Sequence, residues 1–196
     1  MEKFKQLLTG FDLVDLENHE GTVFGLRDDY TIAYFNKAWK SFAQNNDGEP
    51  AISSNWGIGA QFFNAVPEIM KSFYLELFRR CRAQEKSVKH TYECSSPDVY
   101  RKFQQIIYPL NTEGYLIVNS LLMEEPHRAD LFPYAAFHST KTKDIIYQCA
   151  NCRKVRHQKL DNRWDFIPQW IHKAPAMVSH TLCSACEGFY KHIDGL

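Results

Sequence analysis

The sequence predicts an α+β fold: one antiparallel sheet of five strands with helices on one face, plus a small C-terminal cysteine-rich lobe. Three observations predict it. Two β-rich runs stand near the N-terminus and three more follow a long amphipathic helix, so strands flank a helical middle. That helix carries Met70, Phe73, Tyr74, Leu77, Phe78 and Cys81 on one side, with Glu68, Lys71, Glu76, Arg79 and Arg80 largely opposite. Finally, two CxxC pairs, Cys149-Ala-Asn-Cys152 and Cys183-Ser-Ala-Cys186, occupy the last quarter, with thirty residues between them.

In chain order, Phe4, Leu7, Leu8 and Phe11 recur at i, i+3, i+4 and i+7 and predict an N-terminal helix over residues 1–17. Its apolar stripe packs onto its own domain, the alternative being a dimer contact. Gly21–Arg27 and Tyr30–Phe35 predict a hairpin with Asp28-Asp29 as a two-residue turn. Asn36 is placed to N-cap a short helix, KAWKSFAQ. Asn, Asp, Gly, Pro and Ser dominate Asn45 to Asn55, which reads as a loop. Pro67 then opens the long helix. Strands are predicted over Val88–Cys94, Arg101–Leu110 and Tyr115–Met123, with a turn at Asn111–Gly114. The α+β domain therefore covers 18–123, a connection 124–143, and the cysteine-rich lobe 144–196.

At 196 residues and 44 % apolar, the chain fits one ordinary domain with an appendage. Formal charge is zero but uneven. Residues 1–126 hold 13 Lys and Arg against 17 Asp and Glu, whereas 127–196 hold 10 against 6 and six of the eight His. No apolar run reaches the length of a membrane span, so no membrane partner is expected. The N-terminus lacks the apolar stretch and cleavage site of a signal peptide, and the expected address is the cytoplasm. In a reducing compartment, paired cysteines favour a metal over disulfides.

The chemistry follows from the cysteines. Zn²⁺ is borderline-soft and takes four ligands tetrahedrally, and each CxxC supplies two sulfurs from one tight turn. Cys149, Cys152, Cys183 and Cys186 are the candidate ligands of a structural zinc; His180, three residues before Cys183, could replace one or support a sulfur. A redox disulfide pair or an iron–sulfur cluster is the alternative. Trp164, Phe166, Trp170 and Ile171 would fill the lobe. Arg153, Lys154, Arg156, His157 and Lys159 form a basic run, read as a solvated face offsetting the site's negative charge rather than as a nucleic-acid surface.

The order of elements over residues 18–123 resembles a PAS domain. The hairpin GTVFGLRDDYTIAYFN with Asn36 after its second strand, the long helix before the third strand and the closing pair of strands carry the likeness. The stretch WGIGAQFF…YECSSPDVYRKFQQIIYPL…YLIVNSLL resembles a bacterial subgroup of those proteins. The tail resembles a cysteine-rich segment found after PAS or receiver domains in bacterial signalling proteins. Its matching positions are Cys149, Cys152, Arg153, Lys154, Arg156, Trp164, Ile171, Ser179, His180, Cys183, Cys186 and Tyr190. The resemblance implies a sensory or regulatory module in bacterial signal transduction that binds a small ligand or a signalling protein and forms a homodimer. Nothing resembles a histidine kinase, a cyclase or a helix-turn-helix, so action through another protein is expected.

A ligand pocket between helices and sheet would be walled by Trp56, Phe63, Phe73, Tyr74, Phe78, Tyr92, Phe103 and Tyr108. Haem and flavin are not expected. His90 sits on a strand rather than on the long helix, and Asn151-Cys152-Arg153 matches only the centre of a flavin-binding motif. Cys81 reads as a buried apolar residue. Cys94, beside a Ser-Ser-Pro turn, is a candidate reactive thiol. No catalytic triad, phosphate loop or carboxylate pair stands out, so the chain is not expected to be an enzyme. Two other functions compete: a zinc-lobe nucleic-acid-binding regulator and a thiol-based redox sensor.

Overall fold

The computed structural model describes residues 2–46, 48–96, 98–126, 145–158, 160, 162–167, 170 and 177–194. Lys159, Ile171 and residues 127–143 of the expected connection lie outside the described residues. The chain divides into two compact units, Met1–Thr91 with Phe103–Leu121, and Tyr92–Lys102 with Leu122–Leu196.

The first unit begins with two short helices, α1 (Glu2–Lys5) and α2 (Leu13–Asn18), in place of the single helix expected over 1–17. The apolar stripe is real, but Gly10 interrupts it and Asp12 restarts the chain. Its carboxylate accepts from the backbone N–H groups of Val14 and Asp15, an N-cap that outcompetes continuation of the first helix. Phe4 and Leu8 are buried, with Leu7 and Phe11 packed against the same cluster, so the stripe covers its own domain.

Strands β1 (Val23–Arg27) and β2 (Ile32–Phe35) pair antiparallel. The turn spans three residues rather than two. Arg27 N–H donates to Thr31 O at 2.9 Å, and Tyr30, expected in the strand, takes a left-handed φ of 62°. Three-residue hairpin loops place a residue there so that strand twist is preserved. Asn36 caps α3 (Lys37–Asn45) as expected, accepting from Trp39 N–H. The loop expected to Asn55 is partly helical: Ala51–Asn55 form α4, with Glu49 holding Ser53 N–H and Oγ. A 3-10 turn (Phe62–Asn64) precedes α5 (Glu68–Gln84), which buries Met70, Leu77, Phe78 and Cys81. Arg82 ties the end of α5 to Asp28 in the β1–β2 turn and lies 4.7 Å over the Tyr115 ring.

Strands β3 (Val88–Glu93), β4 (Val99–Leu110) and β5 (Gly114–Pro126) complete a five-stranded sheet of order β2-β1-β5-β4-β3. The expected α+β class and its antiparallel sheet are present. Alternation along β5 sorts its side chains onto two faces. Tyr115 meets Phe78 of α5 at 4.6 Å between ring centroids, while Leu116 and Val118 join Phe4, Leu8 and Leu16. Helix α5 thus covers one face and the N-terminal segment packs on the other.

Gly25 makes that second contact close. A Cβ there would lie 2.1 Å from Phe4 Cε1, within a ring that is buried. Gly25→Ala should therefore lower unfolding stability by about 1–3 kcal/mol through overpacking. Denaturant titration checks this, and Phe4→Leu in the same chain should recover part of the loss. An unchanged midpoint in the single variant would show that the ring moves aside freely.

The second unit contains a four-stranded sheet, β8-β7-β6-β9, from β6 (Ile146–Cys149), β7 (Val155–Arg156), β8 (Trp164–Asp165) and β9 (Val178–Thr181), then helix α6 (Ser184–Asp194). Among the described residues its apolar cluster holds Ile146, Val155 and Ile167, flanked by Trp170 and Val178.

Candidate metal centre

Parallel pairing of β6 with β9 builds the site. The register matches Ile146 with Val178 and Cys149 with Thr181, so both strands end on the same side of the lobe. Each strand runs directly into a CxxC turn, which brings two pairs distant in sequence to one point. The first turn closes by hydrogen bonds from Cys149 N–H to Lys154 O at 2.7 Å and Arg153 N–H to Cys149 O at 3.1 Å. Arg153 takes a left-handed φ of 63° to complete that reversal. In the second, Cys183 precedes α6 and Cys186 sits in its first turn, where the helix's positive end favours thiolate.

The four sulfurs lie within 4.8 Å of one another, and Cys152 Sγ is 3.7 Å from Cys183 Sγ. Four sulfurs at about 2.3 Å from a central ion form a tetrahedron with edges of about 3.8 Å, so the spacing fits a metal. It does not fit a disulfide, whose sulfurs stand about 2.05 Å apart. Cys149, Cys152 and Cys183 are buried and Cys186 is half-buried. Asn151 Nδ2 donates to Cys186 Sγ at 3.3 Å, the kind of contact that steadies a ligating sulfur. Thiols this close share protons. Hydrogen bonding from Cys152 holds the Cys149 thiol below its ordinary range, and the same contact from Cys149 holds Cys152 above it. A divalent cation satisfies all four sulfurs at once by replacing those protons.

His180 does not belong to this group: it is exposed on β9, opposite Gln148 in register. Trp164 packs against the sulfur cluster and Trp170 against the apolar one, whereas Phe166 is half-buried. Ile167, which no sequence signal singled out, is buried in the lobe's apolar cluster beside Ile146 and Val155. Around β7 the run alternates, with Lys154 half-buried and Arg156 exposed while Val155 and His157 are buried; Arg153, in the turn before the strand, is exposed. Neighbouring His157 accepts Leu160 N–H at Nδ1.

The eight expected pocket residues do not form one wall. Phe63, Phe73, Tyr74 and Phe78 gather on the α5 side of the sheet, linked through Phe62 and Tyr30. Phe103 meets Phe42 of α3. Tyr108 packs against Phe11 on the opposite face, because strand alternation turns it away. Trp56 ends α4, and Tyr92 belongs to the second unit.

Cys81 is wholly buried and donates to Ile107 O at 3.3 Å; burial pushes its thiol up to about 11. Cys94 reaches solvent, yet the crowding around its sulfur raises the thiol above its ordinary value, opposed by Arg153 and Arg101. That direction is the reverse of what a reactive thiolate needs.

Sequence reasoning missed a row of polar side chains across the α5 face: buried His90 on β3, Gln105 on β4 and Asn119 on β5, ending at half-buried Thr22 just before β1. The signal was present as polar residues at inward positions of otherwise apolar strands.

No family model matches the sequence, and no curated protein does. Among solved structures, the PAS domain of BvgS from Bordetella pertussis is similar at 12% identity and a TM-score of 0.42, covering 67% of this chain and 92% of that one. A TM-score this low adds nothing to the fold, which rests on the strand order above. Among the described residues, no helix is long and apolar enough to cross a membrane.

Proposed function

We propose that this chain is a PAS-like sensory or regulatory module whose C-terminal lobe is organised by a structural zinc ion. The convergence of four sulfurs at tetrahedral spacing carries the reading. Cys149, Cys152, Cys183 and Cys186 would complete the coordination without His180, leaving no position for a reacting water, so zinc would supply folding energy rather than catalysis. The first unit would receive a small ligand or a partner protein, and its state would pass by protein contact within a bacterial cytoplasmic signalling pathway. A homodimer is the expected assembly, and the module is not an enzyme. The element order over the first unit and its aromatic layer beneath α5 support this assignment.

Metal analysis combined with native mass spectrometry tests it. Purified protein should hold about one zinc per chain, with no visible absorption. A brown protein carrying iron, or one with all four thiols free after purification with zinc present, would sink the reading.

A further inference from the structure

The four sulfurs of the candidate metal centre are not equivalent. Cys149, Cys152 and Cys183 are 0 %, 3 % and 3 % exposed, whereas Cys186 is half-buried. The difference follows from where each turn sits. The first lies between β6 and β7, and Ala150 within it is buried as well. The second opens α6, where Ser184, Ala185 and Glu187 around Cys186 are all exposed. Solvent therefore borders the cluster along the first turn of α6, and Cys186 is the ligand that stands there.

That sulfur also has a guard. Asn151 Nδ2, carried by the other turn, donates to Cys186 Sγ at 3.3 Å. A metal-bound thiolate keeps a lone pair free to attack an electrophile, and an N–H aimed at the sulfur holds that pair back. Three more sulfurs lie within 4.8 Å, among them Cys183, three residues earlier in the chain. A bond between Cys183 and Cys186 would draw their sulfurs to about 2.05 Å. Two corners of a tetrahedron with edges of about 3.8 Å do not meet that condition, so this disulfide and the bound ion exclude each other.

We propose that Cys186 is an oxidation site through which a hydroperoxide discharges the metal. This rests on the zinc reading and deepens it by naming a signal and the sulfur that receives it. Exposure and thiolate character together select the sulfur that is oxidised, and Cys186 combines them. Its thiolate attacks the terminal oxygen of the peroxide. The S–O bond forms as the O–O bond breaks, leaving a sulfenic acid and an alkoxide or hydroxide that takes a proton from water. The Cys183 thiolate then attacks the Cys186 sulfur, forming the disulfide and expelling hydroxide. Two thiolates have lost two electrons, and one peroxide has gained them. Cys149 and Cys152 remain as half of the ligand set, and the ion leaves.

Hydrogen peroxide added to the full zinc-loaded chain tests this, with released zinc followed by a metal-sensitive dye and cysteines mapped by mass spectrometry after alkylation. About one zinc per chain should be released, with Cys183–Cys186 as the first disulfide, and dithiol with added zinc should restore the site. Cys94 is also exposed, so Cys94→Ser is the control and should release zinc at the wild-type rate. Asn151→Ala should release it about twofold to tenfold faster, the rate equivalent of one ordinary hydrogen bond. Zinc retained under peroxide, a first disulfide without Cys186, protection by Cys94→Ser or an unchanged rate in Asn151→Ala would overturn the proposal. If Asn151→Ala fails to fold, the disulfide map of the native chain decides alone. Absence of zinc before any peroxide is added would overturn the metal reading itself, so the two failures are distinguishable.

Discussion

Cys149→Ser is expected to empty the metal site and unfold the lobe. Cys149 is wholly buried, ends β6 and contributes one of the four sulfurs. Serine is a poor zinc ligand, and three thiolates would be left in a pocket shaped for a dication. Among the described residues, the lobe's apolar cluster contains three buried residues, and β7 and β8 are two residues long. A cluster of that size gains much from a covalent or metal staple. Structural zinc supplies on the order of 10–16 kcal/mol in comparable small domains, far more than those contacts give. On the proposed zinc assignment, zinc content should fall from about one per chain to near zero. Amide protection in β6 and β9 should vanish, while β1, β2 and α5 keep theirs, because Phe4, Leu8, Val23 and Leu116 form a core of their own. A variant that retained stoichiometric zinc and a protected β6–β9 pair would contradict this account of the lobe.

The second large effect is expected at Asn36. Its side chain is 2 % exposed and makes five hydrogen bonds. Oδ1 accepts from Val23 N–H at the start of β1 and from Trp39 N–H in the first turn of α3. Nδ2 donates to the carbonyls of Leu16, His19 and Gly21. One amide thus fastens α2, the chain entering β1, and α3. Asn36→Ala would strand buried donors and acceptors together, and the cost should be about 3 kcal/mol in equilibrium unfolding. Asn36→Asp is the informative companion. It keeps both accepted bonds but aims a carboxylate at three carbonyl oxygens, so it should be no more stable than alanine. A loss below about 1 kcal/mol for Asn36→Ala would mean that water replaces the amide.

Asn36 also marks the limit of what could be read from the chain. Its capping role was legible because Asn before a helical stretch has a local meaning. Its three donated bonds were not, since they depend on where residues 16–21 come to rest. The long helix and the five strands were legible for the same local reason: hydrophobic spacing is written within a dozen residues. Misreadings fell where competing local signals met. A stripe from Phe4 to Phe11 predicted one helix, but the Asp12 cap divided it. Polar composition near residue 50 predicted loop, but Glu49 and Ser53 supported a turn of helix.

The candidate metal ligands were readable because two CxxC turns at that separation have few other uses, whereas the aromatic pocket was not, because Phe and Tyr fill cores and sites alike. By itself the sequence determined the long helix, the five strands of the first sheet, their order and the identity of the four sulfurs, all properties of short stretches of chain. Only the tertiary structure decided that β6 lies parallel to β9, which is what brings the sulfurs to one point. It alone turned Tyr108 away from α5 and lined up His90, Gln105, Asn119 and Thr22. Strand order and register are set by the packing of the whole sheet, and no single strand encodes its neighbour.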